Sequence, residues 1–295
     1  MAGIGQDGEG TMKNSAIMGK LVCAGLALAM SGVVAGGAKA DTAAVDALAE
    51  RAAAAIGRLH SNAQRALVTV AQDEAFADYF HTHDASERHR HKSRIDEVSL
   101  ATQDKFHVEE MCLIDPQGAE ISRIVGDEIA HDLATDEADA PFFAPGFAAD
   151  HRQVYTSPIY LSPDADKWVV AYVTPVLVDG DKRSILHYEH AFTAYGDILQ
   201  RLAANDAGEI MIVADTGHVI FDSRREIPTE RVGDLEDRDD YFDGFDFAGL
   251  DLAGFRQAIG QDATRGQGRI TGQDVDRDAA FRVVGPWTLI GWQDL

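Results

Sequence analysis

The sequence predicts an α+β fold in which a long N-terminal helix is followed by two modules, each a mainly antiparallel sheet with flanking helices. Apolar residues recur every three or four positions over residues 41–80, which is the spacing of one face of an amphipathic helix. From residue 108 the period changes to two, as it does in strands. Strand–turn–strand patterns then occur in two successive blocks, over residues 108–205 and 206–295.

Composition places the chain among globular proteins. It has 295 residues, of which 45% are hydrophobic, and this is ample for a packed core. The formal net charge is −23. Because such a surface repels phosphate backbones and anionic membrane faces, we expect no nucleic-acid partner.

The first 40 residues have the pattern of a secretory signal peptide. Lys13 and Lys20 precede an apolar run that ends in the small residues Ala38 and Ala40, the features of an export signal and its cleavage site. The acidic residues before Met12 do not belong to this pattern, so we expect translation to start there. We predict a periplasmic or secreted protein. The alternative is an N-terminal membrane anchor that is retained.

After cleavage Cys112 would be the one cysteine left, so no disulfide could form within the chain. It lies in a strand-like run over residues 110–114. We interpret it as a small core residue, and a reactive thiol is the alternative.

The helical segment covers residues 41–107. We expect the long helix to end near His81 and a second helix to run over residues 85–103, with Asp84 and Glu87 as a capping box. Some 35 helical residues would span about 50 Å. Such a helix either runs along two stacked modules or pairs with a copy of itself in a homodimer.

Histidines and acidic runs raise the alternative of a metal site. Four histidines surround the break between the helices, but no two stand three or four positions apart, the spacing that puts two ligands on one helix face: His81, His83, His89 and His91. Residues 274–278 alternate as a calcium loop does, yet Ala279 and Gly285 occupy the positions of the required Gly and Glu. We expect a hairpin turn there and a capping loop in the acidic residues 234–251.

Residues 154–176 form the most distinct hairpin pattern, two aromatic and β-branched runs separated by a Pro-Asp turn. Alternation places Tyr155 on one face with Ile159 and Leu161, and Trp168 on one face with Tyr172. Closely spaced aromatic side chains with polar tips are typical of a pocket wall. They are equally typical of a half-buried sheet.

The elements around this hairpin complete the first module. Residues 126–153 are irregular and polar with phenylalanine anchors, which is typical of a functional loop or lid. The strand-like run over residues 184–192 places His187 and Glu189 on one face, and a helix is expected over residues 195–205. A carboxylate in an apolar strand needs a partner when it is buried, and a nearby Arg or Lys could be that partner without any ligand.

With these elements in this order the chain resembles double Cache domains, the extracytoplasmic PAS-like sensor modules of bacterial chemoreceptors and histidine kinases. The resemblance rests on the long helix, CLIDPQGAEISRI, the hairpin over residues 154–176, IMIVADTGHVIFDS and the final WTLIGWQDL. It implies two PAS-like modules stacked along the helix, with a small ligand bound in the first, membrane-distal module. In receptors a transmembrane helix follows, whereas this sequence stops at Leu295. We therefore expect a free binding protein that docks onto a membrane receptor or kinase.

The resemblance also implies which residues form the pocket. The candidates come from the loop, the hairpin and the strand after it. The resemblance supplies Phe142, Phe143, Tyr155, Trp168, Tyr172 and Glu189, and His187 is added because it shares a strand face with Glu189. Family members that bind amino acids have an Arg followed by Trp-Tyr in the loop, where this chain has no cation in residues 139–143. A carboxylate beside aromatic faces suits an amine or another cation.

We therefore predict an exported sensory protein that binds a small molecule reversibly, for signal transduction or chemotaxis. The sequence contains no nucleophile elbow, zinc-protease, Walker or dinucleotide motif, so we predict neither enzymatic activity nor a cofactor. The alternative function is an exported metal-binding protein that uses residues 81–91 or 234–251.

Overall fold

The computed structural model describes residues 38–106, 108–215, 219–226, 233, 263–272 and 275–293. Within these ranges helices flank two antiparallel sheets. The predicted signal peptide before residue 38, the acidic segment 234–251 and a helix expected near residues 253–259 lie outside the described residues. In the part that is described, no helix combines the length and the apolar character that crossing a membrane requires.

Three helices form the N-terminal segment: α1 (Ala38–Val70), α2 (Glu74–His81) and α3 (Ala85–Phe106). The prediction of one helix over residues 41–80 is wrong, because the chain turns at residues 71–73 and begins α2 anew. Asp73 caps α2, and its carboxylate accepts a hydrogen bond of 3.0 Å from the N–H of Ala75. This cap satisfies one of the free N–H groups of the new helix. The second break lies where it was predicted, with Asp84 as the cap of α3.

The first sheet has six antiparallel strands in the order β3-β2-β1-β6-β5-β4. Its strands are β1 (Glu110–Ile114), β2 (Glu120–Val125), β3 (Glu128–Ile129), β4 (Tyr155–Ser162), β5 (Lys167–Val178) and β6 (Asp181–Ala191). The hairpin predicted over residues 154–176 is present as β4–β5, and a hairpin also expected from the turn sequence at residues 115–118 is present as β1–β2. The predicted irregular segment between β3 and β4 contains one short helix, α4 (Phe143–Ala148).

The second sheet follows α5 (Phe192–Asp206) and has the order β8-β7-β11-β10-β9 among the described residues. Its strands are β7 (Glu209–Ala214), β8 (Val219–Asp222), β9 (Arg265–Gly272), β10 (Val275–Val284) and β11 (Trp287–Trp292). The acidic run after residue 274, expected in a turn, lies in β10 and pairs with β9. The predicted fold class, a long helix followed by two PAS-like modules, is confirmed.

The apolar face of α1 packs against both sheets. Leu48, Ala52, Ile56 and Leu67 are fully buried, and α1 contacts β5 in the first sheet and β10 and β11 in the second. Burial of a Leu or Ile side chain stabilises a protein by about 1.5–3 kcal/mol, so this face contributes much to the cohesion of the fold. The helix α1 therefore runs along two modules, and this confirms the first of the two expectations for it. A homodimer through α1 stays a prediction.

A polar cluster joins α1 to elements of both sheets. The Nδ1 of His60 in α1 is hydrogen-bonded to the hydroxyl of Tyr172 in β5 at 2.5 Å, and that hydroxyl is 2.6 Å from the hydroxyl of Tyr195 in α5. The His60 ring lies 4.9 Å from the ring of Trp287 in β11. Burial, and then the nearby His190, lower the pKa of His60 to about 4, so the ring is neutral near pH 7.

The stability contributed by His60 should depend on pH. Its pKa is about 4 in the folded chain, against an ordinary value of 6.5, so the unfolded chain binds the proton first and stability falls as the pH falls from 6.5 to 4. The His60→Gln variant has no imidazole at this position, so it does not lose this stability as the pH falls. We expect the difference in free energy of unfolding between the two proteins to change by about 2–3 kcal/mol between pH 7 and pH 4.5.

Urea unfolding at the two pH values would measure this change. The His83→Gln variant, altered at an exposed histidine, is the control and should keep the pH dependence of the parent protein. A constant difference between the parent protein and His60→Gln would contradict the assignment of a buried, neutral His60.

Candidate functional site

The two faces of the first sheet have different surroundings. One face packs on the N-terminal helices, and the other is covered by the segment that contains α4, which contacts β5 and β6. Beneath this segment lies a cavity of about 50 Å³. Since one water needs roughly 10–15 Å³ of such volume, the cavity has room for about three to five waters or a small ion.

Carboxylates dominate the lining of the cavity. Among the described residues, seven acidic side chains and no Lys or Arg line it: Glu110, Glu120, Asp136, Glu137, Asp139, Asp164 and Glu189. Three of them, Glu110, Glu120 and Glu189, are also buried from solvent. A buried carboxylate is costly unless a cation or hydrogen bonds compensate it, so the partners of these three groups decide what the cavity can do.

Strand pairing brings two of the carboxylates together. In the register of β1 with β6, Glu110 lies directly opposite Glu189, and Cys112 lies directly opposite His187. Residues two apart share a strand face, so all four side chains point to the cavity side. The expectation that His187 and Glu189 share a face is confirmed. Burial, followed by the Glu189 charge, raises the pKa of Glu110 well above its usual value.

A bulge adds the third carboxylate. The register of β1 with β2 shifts between Leu113 and Ile114, so that Ser122 pairs with Leu113 whereas Glu120 pairs with Ile114. Bulges reorient side chains in this way, and Glu120 lies on the cavity face as a result. The thiol of Cys112 donates to Glu110 Oε1 at 2.9 Å and is 3.2 Å from Glu120 Oε1. Burial, followed by these two carboxylates, raises the pKa of the thiol.

One carboxylate oxygen of Glu189 is hydrogen-bonded to an aromatic residue, Tyr160. The hydroxyl of Tyr160 donates to Glu189 Oε1 and lies 3.2 Å from His187 Nε2. Phe142 stacks on the His187 ring at 3.9 Å between centroids. Burial raises the pKa of Glu189 to about 7 and lowers that of His187 to about 3. The other oxygen of Glu189, Oε2, is buried and accepts no hydrogen bond of normal geometry from the described residues, although the Ser162 hydroxyl and the Glu110 carboxyl lie near enough to lower the pKa of Glu189.

Arg123 in β2 is the cation at the rim of the cavity. Its guanidinium lies 3.6 Å from Glu120, 3.1 Å from Asp164 and 2.8 Å from Asp132. One guanidinium thus forms ion pairs with three carboxylates. Within the described part of the chain, no lysine or arginine forms an ion pair with Glu110 or Glu189.

The structure brings three of the predicted site residues together at the cavity: Phe142, His187 and Glu189. Phe143 and Tyr155 are partly buried at the edge of the same apolar cluster. The face assigned to Tyr155 was wrong, because a bulge between Thr156 and Ile159 turns Tyr155 away from the face of Ile159.

Trp168 and Tyr172 lie on the opposite face of the sheet. They share that face, as predicted, but it is the face packed against the N-terminal helices, so neither lines this cavity. On β5 the residues of the cavity side are the intervening ones, among them Ala171 and Val173. Strand alternation groups residues into faces, and only packing decides which face meets the helices.

Sequence reasoning missed Glu110, Glu120, Tyr160 and Cys112 as members of the site. A signal for Glu110 was available, since it is a carboxylate two residues from Cys112 in an apolar strand, the same argument that selected Glu189.

The four histidines considered as metal ligands do not come together. Where the structure describes the chain, the one group of three potential ligand atoms within 4.8 Å of one another is Glu110, Cys112 and Glu120.

Comparison with known proteins establishes the fold. No protein-family model matches the sequence, and no curated protein matches it either. Among solved structures, the sensory domain of the Campylobacter jejuni chemoreceptor Tlp3 superimposes with a TM-score of 0.62 at 12% identity, over 87% of this chain and 94% of that one. The chain has the fold of these sensory domains. The resemblance to double Cache domains is thus confirmed at the level of the fold.

Further solved structures agree. The ligand-binding domain of the Pseudomonas fluorescens chemoreceptor CtaA, in complex with L-isoleucine, gives a TM-score of 0.55 at 12% identity, over 87% of this chain and 94% of that one. The extracellular domain of a protein assigned as a histidine kinase, vpHK1S-Z8, gives 0.63 at 14% identity, over 90% and 97%. Similarity at this level of identity concerns the fold alone, and the pocket of each protein has to be judged from its own residues.

The Glu189→Gln variant should be more stable than the parent protein at high pH. The pKa of Glu189 is about 7 in the folded chain against an ordinary value of 4.5, so the folded chain holds the proton between these values and stability falls as the pH rises from 4.5 to 7. Glutamine does not titrate, so the variant does not lose this stability as the pH rises. We expect the variant to gain on the order of 2–3 kcal/mol on the parent protein between pH 4.5 and pH 8.

Chemical denaturation at the two pH values would test this change. Glu109→Gln is the matched control, because Glu109 is the neighbouring carboxylate but does not line the cavity and forms an ion pair with Lys167. If Glu189→Gln showed the same pH dependence as the parent protein, the raised pKa of Glu189 would be refuted.

The close packing of α4 on the first sheet depends on the absence of a side chain at Gly146. A Cβ at Gly146 in α4 would lie 2.5 Å from Val173 Cγ1, whereas a Cβ at Gly57 in α1 would meet nothing closer than 3.7 Å. We expect Gly146→Ala to destabilise the protein by about 1–3 kcal/mol through overpacking. Gly57→Ala should stabilise it by up to about 1 kcal/mol through helix propensity. Thermal unfolding of the two variants would measure both effects, and equal behaviour would contradict close packing of α4 on the sheet.

Proposed function

We propose that this chain is an exported sensory protein that captures a small cation reversibly in the cavity of its first sheet. The observation that carries the proposal is the pair Glu110 and Glu189, two carboxylates that are buried opposite each other without a lysine or arginine partner among the described residues. A bound cation would supply the missing charge. The fold supports the sensory part of the proposal, since it is that of chemoreceptor domains.

The energetics favour a cation over a neutral molecule or an anion. Burial of the two carboxylates raises the pKa of each, which means that their charged forms are destabilised in the folded chain. A cation stabilises those charged forms, because Coulomb attraction is strong where water is excluded. Binding of the cation therefore displaces the protons that the raised pKa values retain on the two carboxyl groups. A neutral ligand has no charge with which to displace them.

The cavity differs from what an amino-acid ligand requires. Sensory domains of this fold have been solved with isoleucine bound, as in Tlp3, and with L-isoleucine, as in CtaA. An amino acid carries a carboxylate of its own, which in this chain would face seven acidic side chains. A cavity of about 50 Å³ is also small for such a ligand. We propose a compact cation such as ammonium, a small alkylammonium ion or a metal ion.

A route for the signal leads from the cavity into the second module. Glu189 lies near the end of β6, and α5 begins at Phe192, directly after that strand. Tyr195 in the first turn of α5 belongs to the cluster with His60, and its ring lies 5.2 Å from that of Trp287 in the second sheet. A change at Glu189 can therefore move α5 and the contacts between α1 and both sheets. We propose that a membrane receptor or kinase reads this change.

Thermal shift of the full chain would test the proposal. Ammonium, methylammonium, Zn²⁺, Ca²⁺, L-isoleucine and acetate form the panel, and we expect at least one cation and neither acetate nor L-isoleucine to raise the melting temperature. A ligand at 100 times its Kd stabilises by about 2.7 kcal/mol, which is a shift of several degrees. Glu189→Gln should reduce the shift, because the ligand loses a charged partner.

The opposite face of the sheet provides the control. Trp168→Phe changes an aromatic residue that does not line the cavity, so the shift should remain. A shift by L-isoleucine without one by any cation would contradict the proposal, as would a cation shift that survives in Glu189→Gln.

A further inference from the structure

We infer that the cation is a thiophilic divalent metal ion, Zn²⁺ in the first place, bound by Glu110, Cys112 and Glu120 with Glu189 beside them. This inference rests on the proposed function and names the ligand of the same cavity. One ligand atom from each of the first three residues lies within 4.8 Å of the other two. All three residues are buried, and all three line the cavity.

The spacing of the ligand atoms is close to that of a zinc site. A tetrahedral Zn²⁺ with bonds of about 2.3 Å to sulfur and 2.1 Å to oxygen separates the two ligand atoms by about 3.6 Å. The Cys112 Sγ lies 2.9 Å from Glu110 Oε1 and 3.2 Å from Glu120 Oε1. Each distance thus has to widen by well under 1 Å, which small side-chain rotations can supply. The ion takes the place of the thiol proton, which is released to the solvent.

Each carboxylate has one oxygen near another polar group of the protein and the other directed at the thiol. Glu120 Oε2 accepts a hydrogen bond of 2.6 Å from the Ala134 N–H and lies near Arg123, while its Oε1 faces Cys112. Glu110 Oε1 faces Cys112 as well, and its Oε2 lies 3.5 Å from the Ser162 hydroxyl. Such outer hydrogen bonds orient metal ligands and fix their geometry.

An independent observation points to a ligand at the same place. Glu189 is 2% exposed, lines the cavity and has a buried oxygen, Oε2, with no hydrogen-bond partner among the described residues. Its other oxygen is held by the Tyr160 hydroxyl. Glu189 lies directly across the strand pair from Glu110 and lines the same cavity, so its carboxylate adds negative charge beside an ion bound by the other three residues.

The donor set selects the kind of cation. Ca²⁺ and Mg²⁺ prefer six or more oxygen ligands, whereas one thiolate with carboxylates suits Zn²⁺ and other first-row divalent ions. Ammonium needs hydrogen-bond acceptors, and a thiol is a weak one. Cys112 therefore discriminates between these cations, since it contributes to Zn²⁺ binding and little to ammonium binding.

The test uses the full chain with Cys23→Ser, so that Cys112 is the one thiol. Titration with Co²⁺ should produce a near-ultraviolet thiolate-to-cobalt charge-transfer band, and competition with a chromogenic chelator should give the Zn²⁺ affinity. In Cys112→Ser the band should vanish and the Zn²⁺ affinity should fall by roughly 100-fold or more. Glu120→Gln should also weaken Zn²⁺, and Glu109→Gln, altered outside the cavity, should bind as the parent does.

The outcomes separate this inference from the proposed function. Zn²⁺ affinity unchanged in a folded Cys112→Ser variant, or no charge-transfer band in the parent, would overturn the metal site. If ammonium or methylammonium then still raised the melting temperature in a manner that needs Glu189, the proposed cation sensor would stand with another ligand. If no cation bound at all, both would fail. Circular dichroism of each variant confirms that loss of binding is not loss of folding.

Discussion

The packing of α1 against both sheets is the interaction on which the rest of the structure depends. Its buried Leu48, Ile56 and Leu67 belong to the core that contains residues of both sheets. The N-terminal helices cover one face of the first sheet, and among the described residues the segment with α4 covers the other. A cavity lined by carboxylates can exist on that second face without interrupting the main core. The helix thus determines which side of the sheet is available for a ligand.

The same strands contribute to the main core on one face and to the cavity on the other. On β1 and β6, Met111 and Tyr188 belong to the helix-side core, while Cys112 and Glu189 line the cavity. Alternation along a strand permits this division within a few residues. The buried carboxylates destabilise the folded chain when they are ionised, and the proposed cation would remove that cost. Proteins commonly give up stability at functional sites in this way.

A shared fold does not decide what a pocket binds. The Tlp3 and CtaA domains have been solved with amino acids bound, whereas the cavity of this chain is lined by carboxylates, with no lysine or arginine among the described residues of its wall. A fold positions a pocket, but the side chains on its wall decide the charge of what enters. The acidic lining favours a cation over a zwitterion, and the thiol of Cys112 favours a metal ion among the cations.

The sequence by itself determined the order of helices and strands, both hairpins of the first module and the common face of His187 and Glu189, because these follow from local periodicity. Tertiary structure decided the rest. Local pattern continues through the break before α2, so the break was not foreseen. Bulges turned Tyr155 and Glu120 to the cavity face, and the packing of α1 placed Tyr172 on the helix side of β5. Periodicity states which residues share a face, whereas only the packed chain states what that face meets.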